Sequence, residues 1–118
     1  NDRHGHAVGD DVLRRFADAV RLNIREGDLA ARTGGEEFVL VLRDASLPLA
    51  TSTAERIRAL FAESRVESAR GRVTATSSAG VALAGEADEG FEDVLNRADT
   101  ALYRAKNAGR NTICIATN

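Results

Sequence analysis

At 118 residues with 43% hydrophobic residues, the chain is one domain's worth of sequence, enough to bury roughly two-thirds of the surface its unfolded form exposes. A net charge of −2, with Arg and acidic residues interleaved, gives no field that would hold a nucleic-acid backbone, and no apolar run approaches the ~20 residues of a membrane helix. No charged-then-apolar leader opens the sequence and its single cysteine, Cys114, has no internal disulfide partner, so a soluble cytoplasmic protein without nucleic-acid or membrane contact is expected.

Asp10 to Ile24 places Leu13, Phe16, Ala17, Val20 and Ile24 at helical spacing, with Gly9 and Asp10 as the start signal and Asn1-Asp2 in a loop leading in. Leu29 to Thr33 and Glu36 to Leu42 read as antiparallel strands around Gly34-Gly35, whose freedom at positive φ suits a tight hairpin turn. Ser46 is placed to cap a helix from Leu47 to Glu63, with Pro48 tolerated in its first turn. Gly71 marks the next turn, and Arg72 to Leu83, rich in Val, Thr and Ser, reads as one central strand in which Gly80 lets a neighbour approach closely. Phe91 to Asn107 is again helical by period, stopped by Gly109, and Asn111 to Ala116 closes the chain as a strand. The order predicts an α+β fold in which helices lie against an antiparallel-rich central sheet. Four strands are visible where a fifth is expected, because nothing strand-like precedes the first helix.

Glu36 and Glu37 directly follow the two-glycine turn, where no side chain blocks a nucleotide. Adjacent carboxylates at a hairpin tip suit divalent cations that bridge phosphate oxygens; taken alone, the same letters describe an ordinary solvated turn. His4 and His6 have no further His or Cys nearby to complete a zinc site. The chain uses Arg fifteen times and Lys only at position 106, and a compact ammonium suits a phosphate as a point charge. Five strand residues separate Asp28 from Gly34, roughly 17 Å, so no one side chain serves both places.

Gly34-Gly35-Glu36-Glu37-Phe38, with Asn1-Asp2-x-x-Gly5-His6-x-x-Gly9-Asp10 before it and Tyr103-x-x-Lys106-x-x-Gly109-Arg110-Asn111 after it, closely resembles the GGDEF family of diguanylate cyclases over the whole chain. The resemblance implies a nucleotide-cyclase, polymerase-palm-like fold with a ferredoxin-like βαββαβ core, its first strand missing from residues 1–118. It implies an enzyme that joins two GTP into cyclic di-GMP plus two pyrophosphates, one GTP held by each domain of a homodimer, with Mg2+ or Mn2+ as cofactor. Carried over position by position, Glu36 is the metal ligand and Glu37 the neighbouring acid that helps activate the attacking 3′-hydroxyl. Gly34 and Gly35 leave room for the nucleotide. Asn1 and Asp10 read guanine, with Asp10 equally readable as a helix N-cap; His6 orders the loop beneath the base.

Lys106 and Arg110 hold the triphosphate, on one face if the last helix continues. Arg25-Glu26-Gly27-Asp28 matches the RxxD inhibitory motif, with Arg56 as a second arginine, and implies product inhibition by cyclic di-GMP: Arg25 would fork onto guanine O6 and N7 while Asp28 accepts from N1 and N2. An upstream sensory or receiver domain is implied as the driver. Without a strand before Asn1, residues 1–118 are expected to be weakly active or inactive. The competing expectation is a silent GGDEF module that binds cyclic di-GMP or GTP as a sensor, and a purely structural domain ranks last because it leaves the acidic turn and RxxD unexplained.

Overall fold

The computed structural model describes residues 2–69, 71–88 and 90–116, with side chains from residue 7 onward. The first helix, α1 (Asp2–Asn23), starts eight residues before the expected Asp10. Asp10 therefore lies in the helix interior and is not an N-cap: the backbone ladder runs through Gly9, although a mid-helix glycine costs about 1 kcal/mol relative to alanine. Asn1 lies outside the described residues.

The next two elements match expectation closely. Strands β1 (Leu29–Gly34) and β2 (Glu37–Val41) pair antiparallel, from Leu29 opposite Val41 to Gly34 opposite Glu37, with a register shift between Arg32 and Gly34. Gly35 takes the left-handed φ of 34° that closes the turn, and Arg32 Nε donates to its carbonyl at 2.7 Å. Helix α2 (Leu47–Glu63) is capped by Ser46, whose hydroxyl accepts from the Leu49 N–H at 3.2 Å.

The expected single strand from Arg72 to Leu83 is two short pieces. Strand β3 (Val66–Ser68), unforeseen, pairs antiparallel with β4 (Gly71–Val73), while β5 (Ala79–Val81) pairs in parallel with β6 (Ile113–Ile115). A run of β-branched residues signals extended backbone but not which partner it meets. Between β5 and β6 lies helix α3 (Phe91–Asn107). The α+β class holds, and two of the three pairings are antiparallel; among the described residues they form three two-stranded ladders in place of one continuous sheet.

Ala19 and Val20 of α1 pack on Ile57 and Phe61 of α2, with Phe16 and Leu40 at the margin. Phe16 touches Phe38 at a ring-centroid distance of 4.8 Å and meets Phe61 edge-on at 5.1 Å. This aromatic contact ties β2, at the residue after Glu37, to α1. On the other side α3 lies against β5 so closely that a Cβ on Gly80 would sit 2.1 Å from the Ala98 carbonyl oxygen, and Ala101 and Ala105 are fully buried. Gly80 thus does what the sequence expected of it.

Candidate functional site

The hairpin tip presents Glu36 and Glu37 on its outer surface. Both are exposed, and among the described residues neither side chain has a hydrogen-bond or ion-pair partner, so their oxygens are free to accept. Thr33 Oγ1 and Arg32 Nε bond to the carbonyls of Glu37 and Gly35, which stiffens the turn without engaging the carboxylates. No cluster of three or more His, Cys, Asp or Glu side chains exists among the described residues. Carboxylate oxygens are hard donors, the type that suits a divalent cation such as Mg2+ or Mn2+.

Asp10 is exposed on α1; the side chain of His6 lies outside those described. Lys106 is exposed in the last turn of α3. Arg110 is not on a continuation of that helix. The helix stops at Asn107, and Gly109, Arg110 and Asn111 all take left-handed φ values of 114°, 65° and 50°. The Arg110 N–H returns to the Ala105 carbonyl at 3.1 Å, so the chain folds back over the helix end and keeps Arg110 by the last turn that bears Lys106. No hydrogen bond or ion pair among the described residues joins this turn to Glu36 or Glu37. Glu37 stands on the β1–β2 ladder, tied to α1 through Phe38, whereas Lys106 stands on α3 and Arg110 in the turn that follows it.

Arg25 and Asp28 face each other instead of pointing outward as a pair. The Asp28 carboxylate, only 2% exposed, accepts from the backbone N–H of Arg25 at 2.8 Å and of Arg43 at 2.9 Å. Those two N–H groups, with the Arg25 guanidinium behind them, hold its pKa below the usual carboxylate range. The guanidinium contacts are long, 3.3 and 3.4 Å, while Arg25 Nη2 makes a short bond to the Arg43 carbonyl. A guanine edge would have to displace the side chain of Arg25 from Asp28, which is the weaker of its two attachments. Arg56 reaches the α1 end of this region, donating to Asn23 at 3.2 Å as well as to Ser52 and Thr53.

Sequence reasoning missed Arg43. With Arg25, Glu26, Gly27, Asp28 and Asp44 it lines a shallow cavity of about 310 Å³. The hairpin register could have found it, since Leu29 opposite Val41 brings Asp28 level with Leu42, one residue before Arg43, at the open end of the ladder. Also unforeseen is the pair of Asp88 and Arg97, in which two guanidinium nitrogens reach the carboxylate at 2.5 and 3.2 Å and the Gly85 N–H adds a third donor at 2.7 Å. Arg97 first, then Gly85, holds the Asp88 pKa low. This pair pins the 85–88 turn to α3.

Along the chain, an acidic two-glycine tip without side-chain partners among the described residues is followed by a lysine and an arginine at one helix end. The chain matches the family described as "Diguanylate cyclase, GGDEF domain" over residues 1–112. It belongs to the GGDEF family. This GGDEF domain is 47% identical over 116 residues to the response regulator PleD of Caulobacter vibrioides, covering 96% of this chain and 25% of PleD; it thus spans about a quarter of that relative. Among solved structures it is similar to the GGDEF domain of YfiN from Pseudomonas aeruginosa, with a TM-score of 0.85 and 38% identity over 100% of this chain and 74% of that one. It is also similar to a structure described as the active GGEEF domain of a diguanylate cyclase from Vibrio cholerae, with a TM-score of 0.79 and 34% identity over 100% of this chain and 74% of that one. No described helix is long and apolar enough to cross a membrane.

Proposed function

We propose that this domain acts within a diguanylate cyclase, condensing two GTP into cyclic di-GMP with release of two pyrophosphates, each domain of a homodimer holding one GTP. The observation that carries this reading is the exposed carboxylates of Glu36 and Glu37 on the Gly34-Gly35 turn, without a partner among the described residues. The Vibrio cholerae domain whose description calls it active is a GGEEF domain, and Gly34 to Phe38 spell the same five residues.

In this reading Glu36 holds a divalent cation, Mg2+ or Mn2+, and Glu37 assists loss of the proton from the attacking 3′-hydroxyl. Bound there, such ions lower the pKa of the attacking hydroxyl and offset the charge that builds on the phosphates. Lys106 and Arg110 supply positive charge to the triphosphate, and Asp10 accepts from the guanine N1 and N2 hydrogens, with Asn1 and His6 as its expected companions. Arg25, Asp28 and Arg56 form the inhibitory surface for cyclic di-GMP. Its ligand opens the Arg25 to Asp28 contact, consistent with the long guanidinium bonds there. The parent protein works in the cytoplasm under an upstream sensory or receiver domain.

The alternative reading is a module that binds cyclic di-GMP or GTP without turning it over. Conversion of GTP to cyclic di-GMP by the full-length protein with Mg2+ decides between them. Product formation that Glu36→Gln reduces at least about 100-fold supports the cyclase; binding of cyclic di-GMP with no product from the unmodified protein supports the module.

A further inference from the structure

A left-handed φ is uncommon for arginine and better tolerated by asparagine, and two such residues in succession hold it where their surroundings fix them. Arg110 and Asn111 do so at 65° and 50°. The constraints come from three directions: the Arg110 N–H donates to Ala105 at 3.1 Å, the Asn111 N–H donates to Ser78 Oγ at 3.0 Å, and Arg58 Nη1 donates to Asn111 Oδ1 at 2.7 Å. Arg58 sits on α2, fifty-three positions from Asn111 in the chain. Its guanidinium is itself aimed: Nε and Nη2 grip the Glu55 carboxylate at 2.8 and 2.5 Å, and its side chain is 20% exposed. Glu55 raises the pKa of Arg58 and is itself held low by it, so the pair stays charged across the working range of pH.

We propose that Arg58 and Asn111 form a clamp that positions Arg110 for phosphate binding, which makes Arg58 a positioning residue for GTP affinity. The inference rests on the reading of Arg110 as a triphosphate ligand. The Arg110 side chain has no partner of its own among the described residues, so the backbone fixes only the Cα–Cβ direction from which it extends, and a turn that relaxes toward negative φ swings that Cβ away. Without the clamp the binding-competent turn is one of several, and apparent affinity falls in proportion to its population. If that population drops to about one in ten, affinity weakens about tenfold. Chemistry at the acidic tip is untouched, so the loss appears in binding and KM and leaves kcat within about twofold.

The test uses the full-length protein and a non-hydrolysable GTP analogue with Mg2+, comparing Arg58→Met, Arg110→Ala and the double variant by titration calorimetry, steady-state kinetics and thermal melting. Methionine keeps an apolar stem in place of the arginine's, and Asn111→Ala takes its place in the same cycle should Arg58→Met fail to fold. The expected result is about tenfold weaker binding for Arg58→Met and a double variant no weaker than Arg110→Ala alone, since a residue acting through another adds nothing once that one is gone. Additive losses, a fall in kcat with affinity retained, or unchanged binding for Arg58→Met would overturn the clamp while leaving the cyclase reading intact. Unchanged binding for Arg110→Ala overturns the clamp together with the phosphate role, and an unmodified protein that binds no analogue refutes the cyclase reading itself.

Discussion

Gly80→Ala is the substitution on which the packing of α3 can be judged. The added Cβ would lie 2.1 Å from the Ala98 carbonyl oxygen, 2.4 Å from the Leu102 nitrogen and 3.0 Å from the Ala101 carbonyl carbon. All three are backbone atoms, so no flexible side chain can yield. Ordinary contact begins near 3.4 Å, and α3 and β5 must therefore part by roughly 1 Å, which opens voids around the fully buried Ala101 and Ala105. Overpacking of this kind costs about 1–3 kcal/mol and more where backbone must move; a loss of about 3 kcal/mol is expected here. In a domain whose whole stability is about 5–15 kcal/mol, urea unfolding followed by circular dichroism registers that loss as a lower midpoint at unchanged slope. Gly9→Ala is the matched control: nothing lies within 4 Å of its Cβ, and removing a mid-helix glycine stabilises by about 1 kcal/mol. A Gly80→Ala protein within about 0.5 kcal/mol of the unmodified one would refute the close approach of α3 to β5.

Two further outcomes follow from the Arg25 and Asp28 region and from Asp88. Arg25→Ala is expected to raise the cyclic di-GMP concentration for half-inhibition about tenfold or more, since a forked contact to guanine is worth about 1–3 kcal/mol; an unchanged inhibition curve excludes Arg25 from the inhibitory surface. Asp28 and Asp88 both have folded-state pKa values below their unfolded ones, so the unfolded chain binds more protons on acidification. Their contribution to stability is complete above the ordinary carboxylate pKa of about 3.9 and is lost as pH falls through the lower folded values. Denaturation midpoints measured from pH 6 down to the acid limit should fall less steeply for Asp28→Asn and Asp88→Asn than for the unmodified protein, and parallel curves would contradict these assignments.

The sequence by itself determined the elements whose causes are local. Ser46 and Pro48 set the start of α2, Gly34-Gly35 set the hairpin, and the apolar period of Phe91 to Asn107 set α3. It also marked Gly80 as a place of close approach and carried the three motifs that name the family. Where local signals competed with longer-range ones it misled: Gly9 and Asp10 resemble a helix start, yet the ladder continues through them, and the Val- and Thr-rich stretch after Gly71 divides between two different partners. Only the tertiary structure decided that Asp28 is taken up by the Arg25 and Arg43 N–H groups, that Arg110 leaves the helix in a left-handed turn, and that Arg58 reaches across 53 positions to Asn111. Helical period and turn chemistry are written within a few residues of one another, whereas the partner of a strand edge or a guanidinium is chosen by which distant segments the core brings together.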